Sequence, residues 1–88
     1  MTRPAAPRVS VQDASAPATV TFAAGDAVPV RFWVVRYYDG TRWYTAVVGH
    51  ETTRYALPDG LERPFYVAVS AIGPSGLEGS LGTARSAR

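Results

Sequence analysis

The chain is a series of short apolar segments separated by turn residues, roughly every 8 to 12 positions. The segments are rich in β-branched and aromatic residues, and apolar and polar positions alternate within them. Val9 and Val11 alternate with polar neighbours, as do Val20 and Phe22. No stretch keeps a helical period. The pattern therefore predicts an all-β domain, a seven-stranded antiparallel sandwich of two sheets.

The most β-prone segment, residues 30–38, is followed directly by Asp39 and Gly40 and then by residues 42–48. An Asp-Gly pair between aromatic strands predicts a hairpin, because glycine accepts a positive φ without strain. The remaining strands are expected over residues 8–12, 18–24, 52–57, 65–72 and 78–84, with turns at 58–60 and 73–76.

Strict alternation in the segment 65–72 predicts which side chains point inward. Phe65, Val67 and Val69 fall on one face, and Tyr66, Ala68 and Ser70 on the other. Applying the same rule to the other strands predicts a core made of Val9 or Val11, Val20, Phe22, Trp33, Val35, Tyr37, Leu57, Val67 and Val69.

The same parity predicts an apolar patch on the outer face of one sheet. Phe32 and Val34 would point away from the core next to Tyr66 and Ala68 on the neighbouring strand. Exposed apolar patches of this kind usually mark an interface. The candidate interface residues are Phe32, Val34, Trp43, Tyr44 and Tyr66.

The 88 residues suffice for one small domain and are too few for two ordinary cores. Residues 1–6 are expected to be a linker, 7–84 the domain and 85–88 a tail. The chain has no cysteine, which excludes disulfides and thiolate sites. No signal peptide and no membrane-spanning segment are predicted.

Candidate catalytic chemistry is sparse. His50 is the only histidine and lies in a predicted turn, where a surface position explains it better than a role as a catalytic base. One histidine and dispersed carboxylates do not predict a metal site, so no catalytic residue, metal or cofactor is expected. Asp39 and Asp59 fit as turn residues.

A net charge of +2 is no signature of nucleic-acid binding. Arg31, Arg36, Arg42 and Arg54 do lie among aromatic residues, as in grooves for single-stranded nucleic acid. Half of those aromatic residues are needed for the core, however. No nucleic-acid partner is expected.

The chain resembles a fibronectin type III domain, an immunoglobulin-like sandwich, from Pro7 to about Ala84. The resemblance is carried by Pro7, Val20-Thr-Phe22, Trp33-x-Val35-x-Tyr37 and Phe65-x-Val67-x-Val69-x-Ala71 with a Gly-x-x-Gly turn after it. Two positions depart from the family: Phe22 stands where a core tryptophan is usual, and Phe65 replaces the tyrosine of the strand-F corner.

More narrowly, the segments 31–36, 39–43, 57–60 and 67–71 resemble the C-terminal accessory domain of bacterial glycoside hydrolase family 10-like proteins. This resemblance implies a non-catalytic spacer or docking module of a larger extracellular or envelope protein. Its partner would be the catalytic domain of the same chain or a second copy of the domain.

Two alternatives remain open at this stage. One is a module that binds polysaccharide through exposed rings, with Trp43 and Tyr44 as candidates, because flat rings match the apolar faces of sugars. The other is a protein-recognition domain that uses its turns at 25–29, 39–40 and 73–77.

Overall fold

Two antiparallel sheets pack face to face in a computed structural model that describes residues 3–14, 17–58, 61 and 64–86. Seven strands lie in this part of the chain and confirm the predicted sandwich. One sheet has the order β1-β2-β5 and the other the order β4-β3-β6-β7. The strands are β1 (Arg8–Gln12), β2 (Thr19–Ala23), β3 (Phe32–Tyr38), β4 (Trp43–Gly49), β5 (Arg54–Ala56), β6 (Tyr66–Ile72) and β7 (Gly82–Arg85).

The core lies between the sheets and contains the predicted side chains. Trp33 packs against Phe22 with ring centroids 5.1 Å apart, and its indole N–H donates to the carbonyl of His50 at 3.3 Å. Phe22 thus fills the position where the resemblance expects a tryptophan. Val9 and Val11 are partly buried at the edge of this core, and Phe65 and Ala71 belong to it as well.

The hairpin between β3 and β4 forms as predicted, with a four-residue loop. The Asp39 carboxylate accepts the backbone N–H groups of Thr41 at 2.9 Å and of Arg42 at 3.0 Å. Gly40 has a φ of +95°, which explains why glycine follows the aspartate. The other predicted Asp-Gly turn, at Asp59 and Gly60, lies outside the described residues.

The last strand begins later than predicted because the chain bulges before it. Glu78 forms a bridge with Ile72, and the next pair is Val69 with Gly82. Three residues of the returning segment thus lie opposite two residues of β6, which is a β-bulge. The bulge ends where β7 meets the segment before β1, and a Cβ on Gly82 would stand 2.1 Å from the Pro7 carbonyl oxygen.

Candidate binding surface

The outer face of the four-stranded sheet carries the candidate interface, and the strand register fixes which of its residues are neighbours. Tyr38 lies opposite Trp43 on one side and opposite Tyr66 on the other. Tyr66 in turn lies opposite Arg85 on β7. Because cross-strand partners share a face, Trp43, Tyr38, Tyr66 and Arg85 form one row across all four strands. We call Trp43, Tyr38 and Tyr66 the aromatic row.

The rings of the aromatic row are partly exposed and partly fixed. Trp43 is 55% exposed and Tyr66 42%. The Tyr38 ring lies 5.2 Å from the Trp43 ring, with an interplanar angle of 39°. Its hydroxyl donates to the Gly40 carbonyl at 3.1 Å, so the hairpin loop holds the central ring in place.

Phe32 is exposed as predicted, but it does not lie beside Tyr66. It is paired with Ile72, at the opposite end of β3 from Tyr38. The two ends are six positions apart along β3, a distance of about 20 Å. The expected grouping of Phe32 with Tyr66 is therefore wrong, because neighbouring strands run antiparallel.

Val34 and Ala68 are buried on this outer face, so their predicted exposure is wrong. Arg36 lies opposite Ala68, and its guanidinium reaches Glu78 at 2.8 Å. The same Glu78 oxygen accepts a hydrogen bond from Ser70 on β6, so the Arg36 side chain extends from β3 towards β6 over the centre of the face. What remains of the predicted patch is two separate groups, the aromatic row and Phe32.

The polar cluster at the centre of the outer face is fully paired. Glu78 accepts hydrogen bonds from Arg36 and from the buried Ser70 hydroxyl. These two hydrogen bonds, the one from Arg36 having the larger effect, hold the pKa of Glu78 below its ordinary value. These contacts anchor the segment after β6 to the sheet.

Tyr44 points to the inner face, and the prediction that it joins the exposed aromatics is wrong. Its ring stacks on Tyr37 at 5.0 Å, with an interplanar angle of 17°. Its hydroxyl donates to Asp39 at 3.1 Å, and the Arg42 guanidinium lies over its ring, 5.0 Å from the centroid. Burial raises the pKa of the neighbouring Tyr37. The adjacent residue Trp43 has the opposite parity and faces outward.

Tyr38 is the site residue that sequence reasoning missed. Its signal is the hairpin loop: once residues 39–42 form a four-residue loop, Tyr38 must face Trp43 across the strands. The alternation within β3 already places Tyr38 on the same face as Phe32, so both facts together identify it.

The histidine lies elsewhere, in the turn after β4. The His50 Nδ1 atom lies 3.3 Å from a Glu51 carboxylate oxygen, and both side chains are exposed. A surface depression of about 540 Å³ beside this pair is lined by Val30, Arg31, Phe32, Gly49, His50 and Glu51, among which there is no hydroxyl or thiol nucleophile. In the described residues no three potential metal ligands cluster together, and no helix is long and apolar enough to cross a membrane.

The sandwich is similar to several solved structures. A myokine structure is 24% identical with a TM-score of 0.69, covering 97% of this chain and 99% of the other. An Fn3-like protein from Clostridium thermocellum is 22% identical with a TM-score of 0.59, covering 93% and 92%. A fibronectin type III domain of human collagen XX is 20% identical with a TM-score of 0.60, covering 98% and 100%.

Comparison of the sequence with protein families and curated proteins gives no further relatives. No protein-family model matches the chain, and no curated protein does. At such identities the likeness concerns the fold. The chain has the fibronectin type III fold.

Proposed function

We propose that this domain is a non-catalytic accessory module of a larger bacterial protein of the glycoside-hydrolase type, extracellular or in the cell envelope, and that it docks on polysaccharide through the aromatic row on the outer face of its four-stranded sheet. The observation that carries the proposal is the aromatic row, in which Trp43 and Tyr66 stay half exposed although β3, the strand between them, buries the rings of Trp33 and Tyr37. Covering large exposed rings with a partner makes the free energy of binding more favourable.

Fold similarity supports the non-catalytic part of the proposal. Domains of this fold are typically non-catalytic modules, and His50 and Glu51 lie exposed in a turn away from the aromatic row. We expect the isolated domain to hydrolyse polysaccharide, ester and peptide substrates no faster than a blank. Turnover that His50→Ala abolishes would contradict this.

The parent protein is tested by reading the coding frame on both sides of these residues. The proposal expects a catalytic region of barrel size in the same frame. Tandem copies of this unit without a catalytic region would indicate a spacer array instead, and a frame of only 88 residues would contradict the accessory role.

Docking is tested in the longer protein with the double variant Trp43→Ala/Tyr66→Ala. We expect its activity on an insoluble polysaccharide to fall while its activity on a small soluble glycoside is kept, because the active site itself is untouched. Phe32→Ala is the matched control, since it removes an exposed ring from the same face outside the aromatic row. Equal activity of the double variant and the wild type on the insoluble substrate would contradict docking by this surface.

A further inference from the structure

The aromatic row continues into a positive charge. Trp43, Tyr38, Tyr66 and Arg85 belong to four neighbouring strands in the order β4-β3-β6-β7. Neighbouring strands lie about 4.8 Å apart, so the row and its arginine extend over about 14 Å. This is an elongated surface for a linear ligand several units long.

The rings require little ordering when a ligand arrives. Tyr38 is held by its contact with Trp43 and by its hydrogen bond to Gly40. A surface that is ordered before binding loses less conformational entropy on association. The free face of Trp43 is thus available at a low entropic cost.

The next row of the same face has no aromatic ring and carries polar side chains and one alanine. Thr45, Arg36, Ala68 and Thr83 lie opposite one another across the four strands. Thr45 and Thr83 are exposed, whereas the Arg36 guanidinium is bound to Glu78. Exposed hydroxyl groups therefore border the aromatic rings.

This combination matches the chemistry of a sugar chain. A pyranose ring offers an apolar C–H face that stacks on aromatic rings, and hydroxyl groups at its edge that exchange hydrogen bonds with threonine hydroxyls. Binding sites for such ligands combine apolar contact area with a few placed polar groups.

The positive charge at the β7 end favours an acidic ligand. Arg85 is exposed and forms no ion pair within the described part of the chain. Glu78, the carboxylate at the centre of this face, is already bound to Arg36 and Ser70. The Asp39 carboxylate lies in the hairpin loop and accepts hydrogen bonds from Thr41, Arg42 and Tyr44. A guanidinium without a partner attracts a ligand carboxylate and can bind it in bidentate fashion.

We infer that the aromatic row and Arg85 together bind an acidic oligosaccharide, a linear chain containing uronic acid units, with sugar faces stacked on Trp43 and Tyr66 and a carboxylate on Arg85. The inference rests on the proposed function in that it uses the same docking surface and names its ligand class. It does not depend on the parent protein having any particular catalytic activity.

The test is a titration of the 88-residue domain with tetragalacturonate, followed by amide NMR shifts and by tryptophan fluorescence. The shifts are expected on β3, β4, β6 and β7 at the end that carries the aromatic row. Trp43→Ala and Tyr66→Ala should each weaken binding about tenfold or more, the loss that corresponds to about 1.4 kcal/mol. Phe32→Ala, the ring at the far end of the face, should leave the affinity unchanged.

The charge preference is tested with a neutral chain of the same length, cellotetraose. The wild type should bind tetragalacturonate more tightly than cellotetraose, and the difference should shrink as salt is raised, because exposed charges are screened. Arg85→Gln should remove the difference without changing the affinity for cellotetraose. Arg54→Gln, on the other sheet, is the control and should change neither affinity.

Several results would overturn the inference. Equal affinity for the two sugars, or no effect of Arg85→Gln, would exclude the acidic preference while leaving docking through this face intact. If a proline-rich peptide bound more tightly than either sugar and shifted the same amide signals, the ligand would be a protein instead. If Phe32→Ala weakened binding as much as Trp43→Ala, the row would not be the site, and the proposed docking surface would fail with it.

Discussion

The two faces of the four-stranded sheet carry aromatic side chains of the same types in opposite surroundings. On the inner face, Trp33 packs on Phe22 and Tyr37 stacks on Tyr44. On the outer face, Trp43 touches Tyr38, and otherwise half of its surface meets solvent. The difference shows that residue type alone does not tell whether an aromatic ring of this domain belongs to the core or to the exposed surface. Strand parity decides whether the ring stabilises the fold, and register decides which rings on the solvent side act together.

The largest effect expected from this comparison is on the inner tryptophan. Trp33→Ala should lower the free energy of unfolding by about 3 to 5 kcal/mol, because it leaves a cavity beside Phe22 and removes the indole hydrogen bond to His50. That is a large share of the stability of a small domain. Urea unfolding measures it.

Trp43→Ala is the matched control for the inner tryptophan, since it removes the same side chain from the solvent side. Its cost should stay below about 1 kcal/mol, because little packing is lost. Similar losses in the two variants would contradict the assignment of the two faces.

A smaller effect is expected at the buried hydroxyl of the outer face. Ser70→Ala removes a donor to Glu78 and should cost about 1 kcal/mol, the usual net value of an intramolecular hydrogen bond. Thr83→Ala, an exposed hydroxyl on the same face, should change the unfolding free energy by less than about 0.5 kcal/mol. If Thr83→Ala cost as much as Ser70→Ala, the polar cluster would not be what anchors the segment after β6.

Acid should weaken the same anchor. The folded pKa of Glu78 lies below its unfolded value, so its contribution to stability is complete above the unfolded pKa and is lost as the pH falls through the folded pKa. The effect should be under about 1 kcal/mol, because the pair with Arg36 is partly exposed and screened. Melting temperatures between about pH 3 and pH 7 should fall less steeply for Glu78→Gln than for the wild type. Identical slopes would count against the ion pair.

The smallest effect is expected at Phe32. Phe32→Ser should change the unfolding free energy by about 0.5 kcal/mol or less, because the ring is 44% exposed and lies at the end of β3. A variant that unfolds would show that Phe32 belongs to the core and that β3 is inverted.

Much of the fold could be predicted from the sequence because successive side chains of a strand point to opposite faces of its sheet, so that one inward residue fixes the others. Parity assigns Trp33, Val35 and Val67 to the core, and the structure confirms them. The Asp39-Gly40 turn was equally clear, since few residue pairs fit a hairpin loop so well.

The binding surface could be predicted only in part, because alternation fixes a face and not a partner. The antiparallel register that pairs Tyr38 with Tyr66, and Phe32 with Ile72, depends on contacts between strands far apart in the chain. The polar cluster at the centre of the face depends on the Arg36 side chain reaching Glu78, 42 positions along the chain. No local pattern contains that information.

The most direct test of the account is one double variant, Trp43→Ala/Tyr66→Ala, measured for both stability and binding. The account predicts an unfolding free energy within about 1 kcal/mol of the wild type, because both rings are half exposed. It also predicts that binding of tetragalacturonate is lost. A variant that keeps its fold and its affinity, or one destabilised by about 3 kcal/mol or more, as expected for a core aromatic, would contradict the claim that these rings form a binding surface and not a second core.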